Sequence, residues 1–170
     1  MGEVVFFDKL TTATLRVLKP KSGVPRKGIL VFTRFVEEAE NLVCKLKIKG
    51  ISAAIVTGTT PKTEREQMLN DFKSGKIKVV ANVGVLVVGF DFPALDTVIL
   101  ARPTKSLSWY YQAVGRGIRP FKGKDGWVID LAGNYKRFGK VSDLKIDVEK
   151  PHSQLWCVKS NGKVLTNKLF

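Results

Sequence analysis

Residues 28–58, GILVFTRFVEEAENLVCKLKIKGISAAIVTG, change hydrophobic period twice. GILVFTR (28–34) is a short apolar run with β-branched residues, the pattern of a strand buried on both faces. FVEEAENLVCKLKIKG (35–50) then moves to helical spacing, with Val36, Ala39, Leu42, Val43 and Leu46 on one side and Gly50 as the stop. Cys44 reads as buried packing on that apolar face. ISAAIVTG (51–58) is a second strand run. Strand, helix and strand with short connections argue for a parallel sheet wrapped by helices.

The alternation continues outward from this unit. TTPKTEREQMLNDFKSG (59–75) predicts a helix with Thr60 as its N-cap, Pro61 at the first helical position and Gly75 near the end. IKVVANVG (77–84), DTVILA (96–101) and GWVIDLAG (126–133) predict three more strands, with a helix over residues 106–118 between the last two. A leading helix ends at Pro20 and is followed by the basic loop KPKSGVPRKG (19–28). Near the C-terminus, two alternating runs flank Asn161-Gly162, a hairpin signal outside the alternating body. The expectation is an α/β fold. A leading helix and basic loop occupy 1–27, a parallel-sheet body with helices on both faces 28–150, and a β-hairpin tail 151–170.

Composition narrows the function. A chain of 170 residues with 44% hydrophobic content can bury a real core as one domain. Lys and Arg number 29 against 15 Asp and Glu, a formal charge of +14 that reads either as a solubilising positive surface or as the mark of a polyanionic partner such as nucleic acid or nucleotide. Two distant cysteines, Cys44 and Cys157, and the single His152 argue against a zinc site, so no metal ligands are assigned. No apolar run approaches the roughly 20 residues that span a bilayer, and no signal peptide is visible. A cytoplasmic location without a membrane partner is the expectation.

QAVGRGIRP (112–120) places two arginines within nine residues, directly after SWYY. At 100° per residue, Leu107, Tyr110, Tyr111, Val114 and Ile118 gather on one side of the helix. Gln112, Arg116 and Arg119 form a stripe on the other, with Trp109 at its edge. Surface arginine is commonly only solvated, but the guanidinium fork also fits phosphate oxygens. Gly115 and Gly117 each cost such a helix about 1 kcal/mol relative to Ala. That cost suits a close-approaching backbone or ligand, or a helix about to end.

QAVGRGIRP resembles motif VI of superfamily-two helicases, Gln/His-x-x-Gly-Arg-x-x-Arg. ILVFTRFVEEAENLVCKL resembles the strand and helix of motif IV, and the stretch from VTGTTPKTEREQMLNDF through VGFDFPALDTVILARPTKS resembles the block leading through motif V. Order and spacing agree over residues 28–134, and the phrasing is similar to bacterial and phage helicases and restriction-type DNA motors of the DEAD/DEAH-type superfamily. The resemblance implies the second, C-terminal RecA-like domain of a helicase core. Arg116 and Arg119 would then be arginine fingers to the ATP γ-phosphate, with Gln112 on the same face. Gly89 and Asp91 of motif V would lie at the nucleotide edge.

Nucleic-acid contacts implied by the resemblance fall at Thr33, Arg34, Thr57 and Gly58 and just before Gly89, where this chain has Val87-Val88 in place of frequent hydroxyl residues. Lys105 and Trp109 could compensate, as a phosphate charge and a stacking face. Read without the resemblance, Thr57-Gly58 is a strand-to-helix turn, Arg34 a solvated charge, Gly89-Asp91 a turn before Pro93 and Trp109 half-buried packing. The chain contains no G-x-x-x-x-G-K-[ST] and no acidic DEAD-type box, so the phosphate cradle and the Mg²⁺ ligand would belong to a first RecA-like domain of a longer parent chain. The implied cofactors are ATP and Mg²⁺, and the implied partners are that domain and nucleic acid, with DNA favoured over RNA. A non-catalytic nucleic-acid-binding module on the same fold is the alternative.

Overall fold

A computed structural model describes residues 2–19, 26, 28–86, 91–148 and 156–165. In chain order the body comprises α1 (Gly2–Leu18), β1 (Ile29–Phe32), α2 (Val36–Ile48), β2 (Ala53–Val56), α3 (Lys62–Lys73), β3 (Val79–Asn82), β4 (Thr97–Leu100), α4 (Leu107–Gly117), β5 (Trp127–Asp130) and α5 (Asn134–Phe138). The five strands form one wholly parallel sheet in the order β2-β3-β1-β4-β5. Period-2 alternation divides the central strand between two cores. Ile29 and Val31 face α1 and α2, while Leu30 and Phe32 face Phe72 of α3 and the underside of α4. Helices on both faces explain why the strands read as continuous apolar runs.

Helix ends follow local chemistry. Glu38 reaches back so that its Oε2 accepts from the Arg34 N–H at 2.8 Å and the Phe35 N–H at 3.2 Å, satisfying donors at the start of α2. At the other end Gly50 adopts φ 71°, its N–H donates to the Lys47 carbonyl, and the Ile51 N–H donates to the Leu46 carbonyl. This is a Schellman cap, which favours glycine at that position.

Three sequence expectations change here. Cys44 is exposed rather than packed in the core, because it lies about 140° round the helix from Ala39 and so on its outer face. Val36, in the first turn, is also exposed; Ala39, Leu42, Val43 and Leu46 carry the burial. The N-cap of α3 is Pro61 rather than Thr60, whose Oγ1 instead accepts from the Thr57 N–H at 2.9 Å.

The Asn161-Gly162 turn appears as expected, with φ 49° and 78°, the left-handed pair that a two-residue hairpin requires. It joins β7 (Trp156–Ser160) to β8 (Lys163–Val164). The hairpin does not stand alone: β6 (Leu144–Val148) pairs antiparallel with β7, giving a three-stranded sheet. Among the described residues no helix is long and apolar enough to cross a membrane.

Candidate functional site

Helix α4 carries Gln112 and Arg116, and Arg119 follows two residues beyond its end. Its N-terminus is capped by Ser106, whose Oγ accepts from the Trp109 N–H at 3.2 Å. The buried stripe is Tyr110, Ala113, Val114 and Gly117, an i, i+3, i+4, i+7 set. It corrects the apolar face read from the sequence, since Tyr111 is 54% exposed and Ile118, just past the last turn, is exposed too. Small residues do the packing instead. A Cβ on Gly117 would meet Val98 Cγ2 at 3.0 Å, so its glycine lets α4 lie directly on β4. Tyr110 anchors the far side by stacking on Phe138 at 5.2 Å and donating its hydroxyl to the Gly139 carbonyl at 2.9 Å.

This seating leaves Gln112, Arg116 and Arg119 around one concavity of about 260 Å³, with Tyr111 and Gly115 completing it. Gly115 differs from Gly117 in that nothing lies within 4 Å of its absent Cβ; that side is open. Gln112 donates from Nε2 to Ser108 Oγ at 3.3 Å, along its own helix. Arg116 is half-buried. Burial holds its guanidinium below the usual value, the Arg119 charge adds to that effect, and Asp91 opposes it. Arg119 forms an ion pair with Asp91. Asp91, Arg116 and Arg119 are thereby brought into one neighbourhood. Gly89 and the Val87-Val88 pair lie outside the described residues.

The other expected residues follow the carboxyl ends of the strands. Thr33, after β1, is 1% exposed, and its Oγ1 donates to the Asn82 carbonyl at 3.4 Å; its side chain presents nothing to solvent. Arg34 is exposed, with its guanidinium 4.7 Å from the centroid of the Phe35 ring. Thr57 and Gly58 form the turn after β2, where the Thr57, Thr59 and Thr60 hydroxyls interact with one another. Lys105 is exposed in the loop after β4. Trp109 is half-buried, edge-on to Phe32 at 5.4 Å, so much of its ring serves the core. The Gln112–Arg116–Arg119 set and the Arg34–Lys105 set line separate concavities: none of the residues around one lines the other.

Two asparagines that sequence reasoning did not single out organise these loops. Asn82 is buried; its Nδ2 donates to the Val31 carbonyl at 3.3 Å and its Oδ1 accepts from the Val85 and Leu86 N–H groups, shaping the turn after β3. Asn134 is also buried, donating to the Arg102 carbonyl at 3.0 Å and accepting from the Thr104 N–H at 2.9 Å. The available signal was an amide ending or following an apolar strand run, where a polar group must be bonded to be tolerated.

A parallel sheet with helices on both faces and a phosphate-compatible arginine stripe at its edge defines a RecA-like α/β domain. The structure resembles the C-terminal domain of the DEAD-box protein Dbp5 with a TM-score of 0.61 and 26% identity, covering 74% of this chain and 68% of that one. The helicase conserved C-terminal domain family matches residues 11–120, and the chain belongs to that family. Its relatives include a 51.5 kDa protein of Lactococcus phage (isolate 7-9), 36% identical over 139 residues, which cover 82% of this chain and 29% of that protein. Another is the ATP-dependent rRNA helicase RRP3 of Meyerozyma guilliermondii, 36% identical over 110 residues, covering 64% of this chain and 22% of the relative. The chain thus spans less than a third of either relative.

Proposed function

We propose that this chain is the second motor domain of an ATP-dependent helicase or translocase, acting on nucleic acid, with DNA preferred over RNA. The observation that carries the reading is the convergence of Gln112, Arg116 and Arg119 on one open concavity of α4, beside Asp91. A guanidinium fork suits phosphoryl oxygens, and an arginine contributed from a neighbouring element is worth on the order of 10³–10⁵ in rate when it meets charge developing in the transition state. ATP supplies the transferable γ-phosphoryl group when bound.

Arg116 and Arg119 would orient and neutralise that group from this side of an interdomain cleft, with Gln112 and Asp91 at its border. The residues fit one wall of a nucleotide site. They do not provide a phosphate cradle, and among the described residues no cluster of three His, Cys, Asp or Glu could hold Mg²⁺; both functions fall to the partner RecA-like domain of the parent. Hydrolysis then depends on domain closure, which couples chemistry to movement. Such a motor works in the cytoplasm.

Two measurements on the 170-residue chain test this reading. It should bind DNA weakly, without sequence preference, and lose affinity steeply with added salt. It should show no nucleic-acid-stimulated ATP turnover. Turnover unaffected by changing Arg116 and Arg119, or no DNA binding at low salt, contradicts the proposal; tighter binding to RNA of the same sequence contradicts the DNA preference.

A further inference from the structure

Two chain segments carry the Asp91–Arg119 pair, and one lysine joins them. Asp91 lies in the stretch that leads into β4, and Arg119 in the loop that leaves α4 and returns to β5. That loop is drawn tightly across the end of the helix. A Cβ on Gly126 would collide with the Gly117 carbonyl, and Gly123 adopts φ 70°, which lets the Lys124 N–H close a turn onto the Phe121 carbonyl at 3.1 Å. Lys124 is half-buried between the exposed Gly123 and Asp125. Its Nζ donates to the Pro93 carbonyl at 2.9 Å and to the Leu95 carbonyl at 3.0 Å. Both acceptors belong to the segment that begins at Asp91.

An ordinary surface lysine keeps its ammonium hydrated on a mobile stem. Here the ammonium exchanges water for two main-chain carbonyls. Burial holds it below the usual lysine value, Asp96 opposes that effect, and the Arg119 charge adds to it. Arg119 is therefore close enough to feel the Lys124 charge as well as to pair with Asp91. An ion pair as exposed as Arg119–Asp91 is weak and screened by salt, so it keeps its arginine in one place only if the two segments are themselves held together. Charge-assisted hydrogen bonds that are shielded from water are the stronger tie.

We propose that Lys124 is a positioning residue for the arginine contact: by binding the Pro93 and Leu95 carbonyls it fixes the Arg119 loop against the Asp91 segment. Arg119 then faces a phosphoryl oxygen with its geometry already set, and no rearrangement is needed as charge develops. Lys124 itself does not reach the phosphate. The inference rests on the arginine reading above and adds a residue from outside the stretch that resembles motif VI.

The first test is hydrogen exchange, followed by NMR, on the 170-residue chain. The Leu95 N–H donates to the Phe92 carbonyl at 3.0 Å and the Trp127 N–H to the Asp96 carbonyl at 2.8 Å. In Lys124→Met both should exchange on the order of tenfold faster, while the amides of Val31 and Val80 in the central strands keep their rates. A uniform rise, or a collapsed thermal melt, would make Lys124 a general stability element and overturn the proposal. Lys122→Met removes the same charge from an exposed position in the same turn and should leave every rate unchanged. Equal effects of the two substitutions would show that only charge matters, and would also overturn it.

The second test is a double-mutant cycle on ATP hydrolysis by the full parent protein. Lys124→Met should lower kcat on the order of tenfold to a hundredfold, the cost of a misplaced contact, with nucleic-acid affinity unchanged. In an Arg119→Lys background the same substitution should lower kcat by no more than about twofold further. Lys124→Arg keeps charged donors at that position and should retain more kcat than Lys124→Met; equal losses would implicate packing rather than donation and overturn the proposal. Additive losses in the cycle overturn the positioning role while leaving the arginine reading intact. Near-normal turnover in Arg119→Lys alone removes both.

Discussion

Arg119 and Asp91, 28 residues apart in sequence, form an ion pair between the end of α4 and the segment that leads into β4. Both side chains stay substantially exposed, at 45% and 66%. A pair so open to water contributes only about 0–1 kcal/mol to stability and weakens with salt. Its consequence is positional: it holds Arg119 at the rim of the Gln112–Arg116 concavity. Asp91→Asn should shift the thermal midpoint little, and a melt at low and high salt checks this. A loss of several kcal/mol would make the pair a structural element.

The two glycines of α4 should respond oppositely to alanine. Gly117→Ala drives a methyl toward Val98 Cγ2 and should destabilise the domain by about 1–3 kcal/mol. Gly115→Ala meets no atom within 4 Å and should stabilise the helix by about 1 kcal/mol. Denaturant midpoints of the two variants decide the matter. Equal effects would mean that α4 is not seated on β4 as described.

Acid should expose the contribution of Asp125. A hydrogen bond from Trp127 Nε1 at 3.0 Å, followed by one from Arg26, holds its carboxyl below the usual 3.8. A carboxylate depressed in the folded state adds stability that is present above its unfolded pKa and lost as pH falls through the folded one. Stability should therefore decline below about pH 4, and the decline should be shallower in Asp125→Asn. Melts across the acid range give the answer; parallel curves for the two proteins would contradict it.

How much of this was legible beforehand depended on which physical signal each residue carried. The strands β1, β3 and β4 were legible because burial on both faces leaves an uninterrupted apolar run, and α2 because Ala39, Leu42, Val43 and Leu46 repeat at helical spacing. The face of α4 was misjudged because the reading weighed large side chains, whereas Ala113 and Gly117 make the contact and Tyr111 turns outward. Cys44 was misplaced by treating residue type as burial. The grouping of Gln112, Arg116 and Arg119 was visible in spacing, but the Asp91 partnership was not, since it depends on how the chain returns from β3 to β4. Arg34 and Arg102 were likewise invisible as neighbours: they follow β1 and β4, which only the strand order makes adjacent.

The central claim is that Arg116 and Arg119 act as phosphate-directed donors in a two-domain motor. The most direct measurement is steady-state ATP hydrolysis by the full parent protein at saturating nucleic acid, comparing the unaltered protein with Arg116→Lys and Arg119→Lys. Lysine keeps the charge but loses the fork, so a merely electrostatic role would survive the change whereas donors that must meet particular oxygens would not. Each variant should lose most of its turnover, with unchanged nucleic-acid affinity and an unchanged thermal midpoint. Near-normal turnover in both variants would contradict it.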